Sequence, residues 1–500
     1  MEKRTLSVVL VMCIVAVGVH HSYGCGGGGG GGGPTANLEV DPSCAVGNEE
    51  VLLDGSGSRA NYGSIRRCSW DFDGDGTWDY TETPTSYPDG QWDKMTTHSY
   101  SCSTGVYTAK LGVWNNYSGD SDTAEVTVNM TSVLNVPSEY DTIQDAIDAA
   151  LCGDVVVVAE GIYYENIDFN GKLIRVIGAA DVTVIDGCGG DVVTFSGGKR
   201  EAQLINFTIR GGYSGVVVAN SSALIDNCDI VSNSRCGLWM YDNDSQVDHE
   251  VTVSRCEFSG NGYDNGFNGT IDDAGGGILN GDIDGAPLPD YTPVWDVVVK
   301  NCIFKNNYAD NGGGIYVEYY SAMKILNCLF LGNEAGWIGG GVFDIGCNIT
   351  ILNSTFVGNE ACKEWEDPET GDEKSDAIAQ ISGPPDSSVR NCIIMDDVMV
   401  DINLGAVDYD YCHLYNGPEG VYPMQKGTYP YPGSYLHYTR DEAEFVDAGS
   451  GDYSLASNSV CIDSGDPDTT TEEVGIKDIA GQTRIVNDVV DRGAYEYQGE

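Results

Sequence analysis

The sequence predicts an all-β chain, with a small β-sandwich first and a parallel β-helix after it, entered through an amphipathic capping helix. Three observations predict this. Glycine supplies 66 of the 500 residues while charged residues make up only 20%, which suits turn-rich β structure better than a helical bundle or ordinary disorder. Runs of alternating polarity such as Glu50-Val51-Leu52-Leu53, residues 106–113 and residues 123–128 are separated by Gly, Asn, Asp and Ser turns, as in a small sandwich. Finally, one phrase recurs: Asn227-Cys228, Cys256-Glu257-Phe258, Asn301-Cys302-Ile303-Phe304, Asn327-Cys328-Leu329-Phe330, Asn353-Ser354-Thr355-Phe356 and Asn391-Cys392. Asn301, Asn327 and Asn353 follow one another at 26 residues, the period of stacked coils, and the longer gaps are coils with loops inserted.

The elements follow in order. Lys3 and Arg4 precede an apolar run over residues 6–19, too short for a comfortable membrane span, so residues 1–24 read as a signal peptide of an exported chain. Cys25 and the glycine run that makes a flexible tether of 25–33 resemble a bacterial lipoprotein signal, which implies lipid attachment at Cys25. Ser22-Tyr23-Gly24 also fits ordinary signal cleavage, so plain secretion stays open beside the anchor.

Residues 34–131 form the sandwich. Asp54-Gly55-Ser56-Gly57-Ser58, Ser69-Trp70-Asp71-Phe72-Asp73-Gly74-Asp75-Gly76, His98-Ser99-Tyr100 and Gly105-Val106-Tyr107 resemble a polycystic-kidney-disease-type (PKD) domain. The resemblance implies an Ig-like module, serving as spacer or ligand-binding unit without catalysis. Inside it, residues 71–82 place carboxylates at positions one, three, five, nine and twelve with Gly at six, the ligand spacing of a calcium loop. The expected ligands are Asp71, Asp73, Asp75, Asp79 and Glu82, with Thr77 offering its carbonyl; the alternative is a solvated acidic turn. An Ig-like topology would bring Cys44 and Cys102 to loops at one end, which makes them the candidate disulfide.

Over 137–440 the β-helix is entered through a helix capped by Asp141 and Gln144, with Ile143, Ala146, Ile147 and Ala150 on one face. From Asp141 to Asn166 the sequence resembles the entrance of pectin-lyase-like right-handed β-helices. In the repeats, Cys and Phe at i and i+2 share the inner face. Asparagine suits both a tight bend and an amide column, and the glycine triplets at 275–277, 312–314 and 339–341 permit turns that a Cβ would block. Phe-x-x-Asn and Gly-Gly-Gly-Ile/Val resemble repeats of polymorphic outer-membrane proteins. Residues 441–500, with Asp478-Ile479-Ala480-Gly481-Gln482-Thr483-Arg484 and Asp491-Arg492-Gly493-Ala494-Tyr495-Glu496, resemble the closing module of surface proteins called choice-of-anchor Q.

Chemistry is harder to find. Among the phrases of polygalacturonase sites only Asp-Asp occurs, at 272–273 and 396–397, and the Gly-x-Tyr-x-Glu of pectin methylesterases at 161–165 lacks its partner phrases. Arg255, Lys300, Lys324 and Arg390 do not share a column, and His249 reads as a solvated or turn histidine. Tyr409, Tyr411, Tyr415, Tyr422, Tyr429, Tyr431, Tyr435 and Tyr438, with Trp295, Tyr319, Tyr320 and Trp337, offer either sugar-stacking faces or a cover for the last coil. A formal charge of −51 excludes nucleic acid as a partner and repels anionic glycans and lipids unless divalent cations intervene. The expectation is an exported surface protein for adhesion or polysaccharide binding, touching a membrane only through its anchor. The rival is a lyase or glycoside hydrolase acting on acidic glycans.

Overall fold

The computed structural model describes residues 33–41, 44–45, 50–61, 64–82, 95–100, 105–115, 121–130, 132–151, 153–179, 182–197, 202–241, 249–262, 275–281, 295–318, 321–345, 347–361, 376–381, 387–400, 408–414, 421–423, 435–436, 439 and 443–499. The signal segment, Cys25, most of the tether, Cys102, the Asp272-Asp273 pair and Tyr319, Tyr320, Tyr415, Tyr429, Tyr431 and Tyr438 lie outside them. Two compact units divide near residue 133.

The first unit is the expected sandwich. Glu39–Asp41, Glu50–Asp54 and Met95–Ser99 form an antiparallel sheet of three. Cys44–Ala45, Ser121–Met130, Gly105–Asn115, Ile65–Asp71 and Tyr80–Glu82 form a sheet of five in that order. Alternation sends Val51, Leu53, Cys68, Trp70, Leu111 and Val113 into one core, with Trp70 buried at its centre.

In the second unit three long faces wind around a common core, with twelve, ten and ten strands. One coil shows the pattern: Ser321–Leu326 on the first face, Leu329–Leu331 on the second, Val342–Ile345 on the third. Register repeats from coil to coil without slippage on the second face, where Ile303, Leu329 and Thr355 align in parallel strands. The rings of Phe258, Phe304, Phe330 and Phe356 stack with centroids 5.0, 4.7 and 4.5 Å apart. Helix Ile143–Ala149 buries Ile143, Ala146 and Ile147 against this core.

That helix corrects one detail. Its N-cap is Thr142, whose hydroxyl accepts Asp145 N at 3.0 Å, and not Asp141. Gln144 turns away to bond the backbone of Asp168. Its place at the helix start is taken by Glu165, whose two oxygens accept Ile143 N and Gln144 N at 3.0 Å each. A carboxylate anchored on the first coil therefore satisfies two donors that the helix leaves open.

The two tasks expected of one asparagine column fall to two. Asn206, Asn227, Asn301, Asn327, Asn353 and Asn391 hold φ between 49° and 65° at the bend from first to second face, and Arg255 takes the same conformation in their line. Asparagine tolerates this left-handed state better than most side chains. Within that column Asn227 donates to Asn206 Oδ1 at 2.8 Å and Asn391 to Asn353 Oδ1 at 3.4 Å, but the continuous amide ladder belongs to Asn233, Asn261, Asn307, Asn333 and Asn359, each donating Nδ2 to the next side-chain oxygen at 2.8–3.1 Å, with Asp396 closing the series.

The last segment lies along the flank of the coils. Asn327, Asn353 and Asn391 donate to Val474 O, Asp491 O and Thr469 Oγ1. Arg390 pairs with Asp466 and Glu473, and Ile393 packs with Ala443, Leu455 and Cys461.

Candidate functional site

The acidic loop is built by the sandwich. It leaves the strand Ile65–Asp71 and returns into Tyr80–Glu82, and Gly74 and Gly76 adopt φ of 74° and 88° inside it. Asp71 is buried, and its two oxygens accept Gly74 N at 2.7 Å and Gly76 N at 3.0 Å. Asp79 accepts Phe72 N at 2.7 Å. One oxygen each of Asp71, Asp73 and Asp79 lies within 4.8 Å of the others, a group able to hold a cation. These three are the expected ligands at positions one, three and nine. Asp75 accepts Thr77 N at 2.6 Å and Glu82 stands opposite Cys68 in the strand pairing, and neither is in the converging group of three. His98 stacks on Phe72 at 4.2 Å. Burial lowers the His98 pKa, while the nearby Asp79 and Asp73 oppose that shift.

Other candidates resolve into structure. Cys228, Cys256, Cys302, Cys328 and Cys392 are buried free thiols in one inward column, which Cys412 extends. Ser354 holds the intervening slot, accepting Cys328 N at 3.1 Å through Oγ and donating its own N–H to Cys392 Sγ. Burial pushes Cys302 and Cys392 well above an ordinary thiol pKa, which keeps them protonated packing groups. Cys44 is a strand residue paired with Asn129, and its partner candidate Cys102 lies outside the described residues. His249 is not solvated: it is buried against Trp295 at 5.1 Å, and Trp295 opens a core strand. Arg255 pairs with Asp226. Glu165 of the Gly-x-Tyr-x-Glu phrase is spent on the helix cap.

What the sequence reading missed is an aromatic strip on the third face. In Cys236–Tyr241, Leu238 and Met240 point inward, so alternation turns Trp239 and Tyr241 outward, with ring centroids 4.2 Å apart. Arg235 lies over Trp239 at 4.1 Å and also faces Tyr213 of the previous coil at 5.5 Å. Trp239 Nε1 donates to Gly281 O at 3.2 Å, which fixes the indole. Tyr213 remains 47% exposed. The alternation of residues 236–241 was the available signal; the alignment with Tyr213 required the coil register.

Comparison with known proteins matches residues 35–128 to the PKD domain and residues 192–394 to the right-handed beta helix region. None of the proteins of curated function matches the chain. Among solved structures, one describing the promiscuous specificity of carbohydrate-binding modules from the β-sandwich superfamily shares 31% identity over 20% of this chain and 36% of that one, with TM-score 0.16. ORF18 of Geobacillus virus E2 shares 14% identity over 65% and 66% with TM-score 0.42. Pectin methylesterase from carrot shares 12% over 61% and 87% with TM-score 0.28. The chain thus spans about a third of the first structure and just under two thirds of the second. With the sandwich, the coiled faces and both family matches in agreement, this protein is one that joins a PKD domain to a right-handed parallel β-helix.

Proposed function

We propose that this is an exported, non-catalytic polysaccharide-binding protein that uses its β-helix as a scaffold and is held to the cell surface through a lipid on Cys25. The observation that carries the reading is the outward aromatic strip of Tyr213, Trp239 and Tyr241, with the buried Arg235 packed against Tyr213 and Trp239. Sugar rings stack their C–H faces on indole and phenol, and the buried Arg235 guanidinium holds the Trp239 and Tyr213 rings in place beneath them. The test is a glycan array on the full protein followed by Trp239→Ala. The expected result is binding to one polysaccharide class that the variant loses by about tenfold or more, roughly 1.4 kcal/mol, with no release of reducing ends or unsaturated uronates. Turnover by the wild type would replace binding with the enzymatic reading, and undiminished binding by the variant would remove the strip.

Calcium is proposed as the ligand of Asp71, Asp73 and Asp79. Hard carboxylate oxygens converging in one loop suit a hard cation, which would offset their mutual repulsion. Calcium should then raise the melting temperature of the first transition, because a ligand that binds only the native state stabilises it. Asp73→Asn should abolish that rise, while Asp75→Asn, outside the trio, should keep most of it. A melting curve indifferent to chelator would leave only an acidic turn.

A further inference from the structure

Alternation in the PKD domain fixes which side chains leave its core. Cys68, Trp70, Leu111 and Val113 point inward, so Arg67, Ser69, Gly112 and Trp114 stand on the outer face of the five-stranded sheet. Register sets Arg67 beside Trp114, Ser69 beside Gly112, and Thr123 on the other side of Gly112. Trp78 reaches the same spot from the acidic loop. Its indole meets that of Trp114 edge to face at 5.7 Å and 80°. Glycine is what admits both rings: a Cβ on Gly112 would lie 2.6 Å from Trp114 Cη2 and 2.8 Å from Trp78 Cη2.

An aromatic pair alone can serve to shield a sheet. Arg67 argues for more. Its guanidinium carbon sits 3.6 Å from the Trp114 ring centroid, and its buried Nε has no acceptor among the described residues. In a chain with 76 acidic and 25 basic side chains, no carboxylate among the described residues reaches this arginine, whereas Lys110, four strand positions from Trp114, pairs with Glu125 at 2.7 Å. Stacking consumes one face of a guanidinium and leaves its in-plane donors unspent, already held in the orientation that a carboxylate accepts in forked fashion. Arg66, exposed next to it, adds a second positive charge.

We propose that Trp78, Trp114 and Arg67 form a second glycan platform, on the PKD domain, that takes a polysaccharide bearing uronic acid carboxylates. The sugar ring stacks on indole while its carboxylate accepts from the terminal nitrogens of Arg67. This gives a local answer to a global problem, since a net charge of −51 repels an acidic polymer at long range. Arg67 makes binding independent of bridging calcium, which separates this platform from any cation effect at the acidic loop. It also goes beyond the β-helix strip, and the two readings fail separately.

The test is affinity electrophoresis of the full-length protein through gels containing polygalacturonate or a neutral soluble β-glucan, all in EDTA. Polygalacturonate is expected to retard the wild type, and Arg67→Gln and Trp78→Ala are each expected to weaken that retardation by about tenfold with unchanged near-ultraviolet circular dichroism. Absence of retardation by polygalacturonate in EDTA would overturn the platform. So would full retention of binding by both variants; if Trp239→Ala alone loses it, the β-helix reading stands without this one. Equal retardation by the neutral glucan, lost in Trp78→Ala but kept in Arg67→Gln, would overturn the uronate class.

Discussion

Asn307 uses every polar group it has. Its Nδ2 donates to Phe258 O and to Asn333 Oδ1 at 2.9 Å, and its Oδ1 accepts both the backbone N and the Nδ2 of Asn261 at 3.1 Å. All of this is fully buried, so truncation strands several groups at once, each costing about 1–3 kcal/mol. Asn307→Ala is expected to lose at least about 3 kcal/mol in urea denaturation. Cys328→Ala removes only a small packed atom and should cost about 1–2 kcal/mol, with any glycan binding intact. If the asparagine variant is no weaker than the cysteine variant, the ladder is not what holds the coils in register. The sequence displayed both residues in one repeated phrase but could not rank them, because the difference lies in bonds between coils.

At the scale of elements, the glycine turns make a graded prediction. Gly312 has φ of 64° and its Cβ would meet Ile315 O at 2.4 Å, while Gly197 has φ of 63° with open space around it. Gly197→Ala should therefore cost only the backbone preference, about 1 kcal/mol, and Gly312→Ala distinctly more, because a backbone carbonyl must also move. Equal melting points for the two variants would show that the turn is soft. The docked C-terminal segment carries a pH signature. Arg484 is buried with Glu496, Asp478 and Asp491 around it. Arg484 Nη2 donates to Asp491 O and Gly493 O, and that backbone stretch meets Asn353 and Asn391 of the coils. Burial pushes Glu496 up to about 8 and Asp491 up to about 6, against the pull of Arg484. A carboxyl raised in the folded state stays protonated where the unfolded chain has ionised, so stability falls as pH rises from the ordinary carboxylate range through 6 and 8. Proteolysis of residues 443–499 should accelerate over that interval in the wild type and less in Glu496→Gln; a flat profile in both would remove the linkage. The sequence exposed this cluster only as a resemblance, since Asp478, Arg484, Asp491 and Glu496 converge by folding.

For the molecule as a whole, a charge of −51 on 500 residues opposes compaction through self-repulsion. Raising monovalent salt from about 10 mM to 150 mM shortens the screening length from about 30 to 8 Å. The midpoint of urea unfolding should rise with it, and a midpoint that falls would show that attractive ion pairs dominate instead. Arg390 with Asp466 and Glu473, and Arg255 with Asp226, are among the pairs that such screening would weaken.

The two-part architecture is legible along the chain, because alternation and a 26-residue recurrence are local statements about which side chains face inward, and burial rewards them wherever they occur. So is the acidic loop, whose carboxylate spacing is contiguous and whose three converging members are among the expected ones. The remaining features depend on contacts between distant segments. Only register between coils could align Tyr213 with Arg235 and Trp239, and only strand pairing could set Arg67 against Trp114 under Trp78. Folding also spent Glu165 on the helix cap and laid the C-terminal segment along the bend asparagines. These contacts join residues far apart in the chain, and their geometry is fixed by stacking and pairing, which no contiguous stretch of sequence encodes.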